Sequence, residues 1–276
     1  MHKVIAALAL GLACWLGVAL GAHAMTRTGA PYSDRTQITE NDPVDVISGR
    51  YTNTKALQAL FPDATASDEK TYFATRDAGS TNSYSATLVI MLSARYQVAG
   101  VVKHMLIVSD ETMAGSCHSC GAPMLGAVFS KTSTGWSLDF FDSGIGEMGH
   151  WGQAPTRVQL VRIGYQHWGV SVRDHLASQD DVTESLVLLE PRGSKIVEIL
   201  RINEYGWQWV NSTVTPTPKP VGYRSYFSLV PSDKSDHYDV VVETYGVKVA
   251  QPIGSGMVSI AQEVEYHYDG DEYVLP

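Results

Sequence analysis

Cysteine is nearly missing from this sequence, with three in 276 residues, at Cys14, Cys117 and Cys120. So small a count excludes a disulfide-dense scaffold and a multi-cysteine zinc module. Positive charge is scarce too: 20 Lys and Arg stand against 29 Asp and Glu, for a formal net charge of −9. A chain without clustered cations fits poorly on nucleic acid or an anionic membrane surface, where neutralised phosphates supply the affinity. A basic protein partner is easier to accommodate, and acidity that merely keeps the protein soluble is the plain alternative. Catalytic motifs are also lacking, with no G-x-S-x-G elbow, no H-E-x-x-H helix and no Walker loop. Carboxylate pairs that meet only in space stay open as a catalytic device.

A long hydrophobic run occurs once, in MHKVIAALALGLACWLGVALGAHA. One cation, Lys3, precedes it, and the small-residue pattern Ala22-His23-Ala24 closes it. That layout predicts a secretory signal peptide over residues 1–24. The run is nearly long enough to span a bilayer, but its glycines and the cleavage pattern favour removal. Gly11-Leu12-Ala13 is a poor context for lipidation of Cys14. The mature form is expected in the periplasm or outside the cell, without stable membrane insertion. Loss of Lys3 with the leader takes the net charge from −9 to −10.

Residues 25–45 are polar, lack apolar periodicity and read as a loose arm. In TNTKALQALFP, Thr54 can cap a short helix carrying Ala56, Leu57 and Leu60, ended by Pro62. Strand patterns fill the rest: 83–92 and 98–110, β-branched and apolar as strands buried on both faces would be, and hairpins over 124–141, 184–200 and 223–245, with a last one around Asp269-Gly270 over 263–275. The fold class expected is all-β, antiparallel hairpins forming a sandwich, barrel or incomplete propeller, with one short amino-terminal helix. Residues 46–276 are expected to form a single β-rich domain. The Thr- and Pro-rich stretch NSTVTPTPKPVG, 211–222, is the one candidate sub-boundary.

Cys117 and Cys120 sit in MAGSCHSCGAP, and three chemistries compete for them. Redox exchange needs the first cysteine at a helix N-terminus, which the following Gly121, Pro123 and Gly126 do not offer. A copper or zinc site would use Cys117, His118 and Cys120, yet no second ligand pair lies at a recognisable spacing. A disulfide between Cys117 and Cys120, stiffening a bent loop, fits the composition and the expected compartment. No cofactor is expected on that reading.

The segment Gly144–Gly149 spells G-x-G-x-x-G, but Gly152 and Pro155 stand where a nucleotide-binding helix should run, so a flexible glycine loop is expected. His-Trp-Gly occurs twice, and His150, Trp151, His167 and Trp168 are candidate partner-binding residues, with core packing of each Trp as the plain alternative. His237 and His267 lie in surface-like strand patterns. The function expected is that of an exported acidic β-rich binding protein, concretely an inhibitor or immunity-type protein for a periplasmic partner. The alternatives are a metal- or thiol-handling protein centred on the CHSC loop and a carbohydrate-active β protein. Catalysis is not expected.

Overall fold

The computed structural model describes residues 46–47, 50–51, 54–68, 70–77, 83–115, 117, 119–155, 157–177, 182–205, 208–210, 219–249 and 257–276. The expected leader, the expected arm and His118 lie outside them. A small pair, β1 (Val46–Ile47) and β2 (Arg50–Tyr51), precedes the helix α1 (Thr54–Leu60). The first large sheet runs in chain order through β3 (Thr65–Ala66), β4 (Thr71–Asp77), β5 (Ser83–Val98), β6 (Val101–Asp110), β7 (Ala122–Thr132) and β8 (Gly135–Met148). The second holds β9 (Arg157–Arg162), β10 (Trp168–Ala177), β11 (Val182–Arg192) and β12 (Lys195–Tyr205). The third holds β13 (Gln208–Val210), β14 (Lys219–Val230), β15 (Asp239–Val249), β16 (Met257–Tyr268) and β17 (Tyr273–Val274). Among the described residues all pairings are antiparallel between chain neighbours, and none of the sheets closes into a barrel.

The sheets stack face to face, which is the sandwich form of the expected all-β fold. β6 shows why its sequence lacks alternation. Every residue from His104 to Asp110 is buried, because Leu106 and Val108 pack under α1 with Leu57 and Leu60. Met105 and Ile107 turn to the other face and meet Val170, Val172 and Leu189 of the second sheet. A strand covered on both sides reads as a continuous apolar run. The second sheet is covered twice as well: Val187 and Leu189 face the first sheet, while Leu188 packs with Val240 and Val242 of the third. A bulge leaves Ile199 unpaired opposite Leu188/Leu189, so Ile199 and Leu200 both enter the core between second and third sheets.

Turns depart from expectation in instructive places. The 98–110 strand begins only at Val101, because Ala99 and Gly100 have φ of 48° and 83° and form a two-residue hairpin turn. Pro191 lies in β11 and the turn falls on Gly193-Ser194. The expected glycine loop at 144–149 is mostly strand. β8 runs to Met148, and its extra residues bulge where Met124 pairs with Gly146 but Gly126 pairs with Asp142. Of the candidate boundary, residues 211–218 lie outside the described ones, and they connect β13 and β14, which pair within one sheet as Gln208↔Val221.

Candidate functional site

The loop picked out by its cysteines is docked at one end of the molecule. The Cys117 and Cys120 sulfurs are at bonding distance, 2.05 Å, with the Cα atoms 5.3 Å apart. A disulfide sulfur is not a thiolate, so in this state the pair offers no thiolate ligand to a metal. The loop lies against the turn that carries His150 and Trp151. Gly115 N donates to Trp151 O at 2.6 Å, and Gly152 N donates to Cys120 O at 2.8 Å. Gly152 is required there: φ is +67°, and a Cβ would stand 2.5 Å from Met113 O. Trp151 is 42% exposed. Trp168 is placed differently, since it packs against the core between first and second sheets and donates its indole N–H to Gln97 O at 3.1 Å. The two His-Trp-Gly copies therefore occupy unlike environments.

His167 belongs to a second constellation. The β9–β10 turn and the loop before β15 come together through Tyr165 N to Asp236 O, 2.9 Å, and Tyr238 N to Ile163 O, 2.8 Å. Gly164 allows this approach, because a Cβ would meet Asp236 O at 2.4 Å. The His167 and His237 rings are thereby brought together, ring centres 3.9 Å apart and tilted by 33°, and Tyr268 stacks on His237 at 3.8 Å. Glu190 of β11 lies beneath them. His167 Nδ1 and His237 Nε2 donate to Glu190 Oε1 at 3.0 and 2.8 Å, since an ionised carboxylate only accepts. Arg192 Nε donates to Oε2 at 2.7 Å, and the same guanidinium reaches Tyr268 OH and Asp271. Burial pushes the Glu190 carboxyl up, but the hydrogen bonds and charges of His237 and Arg192 outweigh it and hold the group below its usual range. Both carboxylate oxygens are engaged, one by a guanidinium. Two histidines and one carboxylate are a known metal-ligand set, but here an arginine already neutralises the carboxylate, and the cluster joins the second sheet to the third.

A third constellation lies on the third sheet's outer face. The register Val240↔Tyr266 sets Asp239 beside His267, and the two-residue repeat puts Glu265 on the same side. Asp239, Glu265 and His267 each bring a ligand atom within 4.8 Å of the others. Asp239 Oδ1 and His267 Nδ1 are 2.9 Å apart, with side-chain exposures of 9% and 21%. Neither atom has a hydrogen-bond partner: they are close, but the ring N–H does not aim at the oxygen. Further along the same face Glu243 pairs directly opposite Glu263. Tyr226, Tyr245 and Val230 are exposed there, and Tyr245 OH donates to Glu243 at 3.0 Å. None of the ion pairs among the described residues involves Glu243, Glu263 or Glu265. The inner face of this sheet forms a cleft of about 320 Å³ against β12, where Arg201, Asn203, Ser225, Thr244 and Gln262 line it with Tyr223 and Tyr266.

Glu190 and Asp239 carried no signal in the sequence, and His237 and His267 read as surface residues. His237 is instead 5% exposed, because the β9–β10 turn packs over it. Cross-strand register is the signal that could have found Asp239 and His267: once Leu229–Val230 and Tyr238–Asp239 are taken as strand ends, the pairing with β16 places them side by side. Compared with protein-family models, curated proteins and solved structures, the chain matches none.

Proposed function

We propose that this chain is an exported, acidic, β-rich binding protein that docks a basic protein partner on the outer face of its third sheet. An inhibitor or immunity-type role toward a periplasmic protein is the concrete form of that reading. The observation that carries it is the Glu243–Glu263 pair. Like charges directly opposite on neighbouring strands disfavour folding, and Glu265 and Asp239 extend the same sign along the face. A cationic partner relieves that repulsion. Exposed Tyr226 and Tyr245 beside it supply the apolar body and polar tip that recur in protein interfaces. Candidate partners captured from the extracytoplasmic fraction of the native cell are to be purified and their binding measured at low and high salt. A partner on this face binds more weakly as salt rises and loses roughly tenfold or more of its affinity to a Glu243→Lys, Glu263→Lys variant. Equal affinity for the variant contradicts the reading.

The inner cleft supports a second reading, a soluble saccharide held by amides, hydroxyls and Arg201 against Tyr223 or Tyr266. Its described lining holds no Asp or Glu, which favours binding over glycosidic cleavage. A glycan that binds the protein and is lost with Tyr223→Ala supports this reading.

A further inference from the structure

We propose that Asp239, Glu265 and His267 form a zinc(II) site on the outer face of the third sheet. The inference starts from two unsatisfied atoms. A buried carboxylate oxygen ordinarily finds a donor, and a buried imidazole nitrogen ordinarily finds a partner. Asp239 Oδ1 and His267 Nδ1 stand as an ion pair 2.9 Å apart, but their geometry makes no hydrogen bond and neither atom has another partner. Atoms that approach so closely without hydrogen-bond geometry converge on a shared point. Two ligands at about 2.0–2.2 Å from one tetrahedral ion lie about 3.4 Å apart, so the 2.9 Å seen is about half an ångström short of that spacing. The Asp239 side chain is more than nine-tenths buried and no Arg or Lys pairs with it among the described residues. A divalent ion would supply the missing positive charge.

The third ligand is Glu265, whose carboxylate lies within 4.8 Å of the other two ligand atoms and which is exposed. One imidazole nitrogen with two carboxylates suits zinc better than magnesium or calcium, which prefer all-oxygen shells, or copper(I), which prefers sulfur. Three protein ligands leave a fourth position toward solvent, open to water or to a group on a bound molecule. The contrast with Glu190 is direct, since there Arg192 occupies the place a cation would take.

This inference shares Asp239 and Glu265 with the docking face, but its test needs no partner and reads zinc alone. Zinc sulfate is titrated calorimetrically into protein freed of metal with a chelator, and thermal unfolding is followed with and without zinc. The expected result is one zinc per chain at low micromolar affinity, with unfolding shifted upward by zinc. Calcium and magnesium at the same concentrations produce no heat. His267→Ala abolishes binding. Glu265→Gln changes an exposed side chain, so it keeps the fold, and weakens binding roughly tenfold or more. A Cys117→Ser, Cys120→Ser variant binds zinc as the wild type does. Zinc affinity that survives both His267→Ala and Glu265→Gln, binding that disappears with the cysteines, or no binding at any of these conditions overturns the proposal.

Discussion

Two clusters of histidine and carboxylate flank the start of β15, with His237 in one and Asp239 in the other, and they are built on opposite terms. Around Glu190, every oxygen is met: two ring nitrogens on one, a guanidinium on the other. Around Asp239, a buried oxygen and a buried nitrogen face each other without hydrogen-bond geometry, and no Arg or Lys pairs with the carboxylate among the described residues. The residue types are the same. What differs is whether the protein itself completes the hydrogen bonding and the charge. A completed cluster holds the fold, here by tying the β9–β10 turn and β11 to the loop before β15. An incomplete one is a liability in the isolated chain and becomes favourable only when something outside the chain completes it. Satisfaction, more than residue identity, separates a structural cluster from a binding site.

The largest effect expected from this contrast is at Glu190. In Glu190→Gln, one amide end faces either the histidines or Arg192 with an N–H where an acceptor is needed. A buried donor left without its acceptor, beside a charge, costs about 3 kcal/mol, to be read from urea unfolding. A loss near zero would show the cluster to be ornamental.

His104 extends the comparison to an imidazole with no carboxylate. It is fully buried, stacked near Phe129 and Trp136, with Ser93 Oγ at 2.8 Å. Burial, with a smaller contribution from Arg95, pushes it down to about 3. The folded protein therefore keeps His104 neutral where the unfolded chain binds a proton. Stability is unaffected above the unfolded value, about 6.5, and falls as pH drops from there toward 3. The slope from this one group is about 1.4 kcal/mol per pH unit. Unfolding measured between pH 7 and 4 should be less pH-dependent in His104→Gln by that amount. An unchanged slope would mean that His104 is protonated in the native state.

The cysteine loop gives the smallest effect. Its ring is short, so Cys117→Ser with Cys120→Ser should cost about 2 kcal/mol or less, and intact mass with and without reductant checks the bond itself. A larger loss of stability would show that the docking of residues 111–121 on the Trp151 turn depends on the bridge.

The sequence made the hairpins legible because alternation and turn residues are local. The PSDKSD segment is the loop between β14 and β15, and Asp269-Gly270 is the bend between β16 and β17, closed by Asp269 accepting from Asp271 and Glu272 backbone N–H groups. The apolar run of 98–110 was legible as a strand buried on both faces, and β6 is covered on both, whereas 83–92, which reads the same way, alternates buried with half-buried positions in β5. That β11 is covered twice was not legible, since layer order depends on how whole sheets stack. The glycines at 144 and 146 read as a loop because a bulged strand and a loop share composition. Of the candidate site residues, Cys117 and Cys120 were visible from spacing, and His167 from its neighbour Trp168. Glu190 in LLEPRG and Asp239 in HYDVVV were hidden. Their partners His237 and His267 lie 47 and 28 positions away, and such distances carry no trace in a single sequence.

The central claim is that the Glu190 cluster is complete within the chain and the Asp239 cluster is not. It is tested most directly by comparing the unfolding free energies of Glu190→Gln and Asp239→Asn in one metal-free buffer. Removing charge from a satisfied carboxylate should destabilise, whereas removing it from a buried and unpaired one should leave stability unchanged or raise it. The account predicts a loss of about 3 kcal/mol for Glu190→Gln with no loss for Asp239→Asn. Equal losses in the two variants, or the larger loss at Asp239, would contradict it.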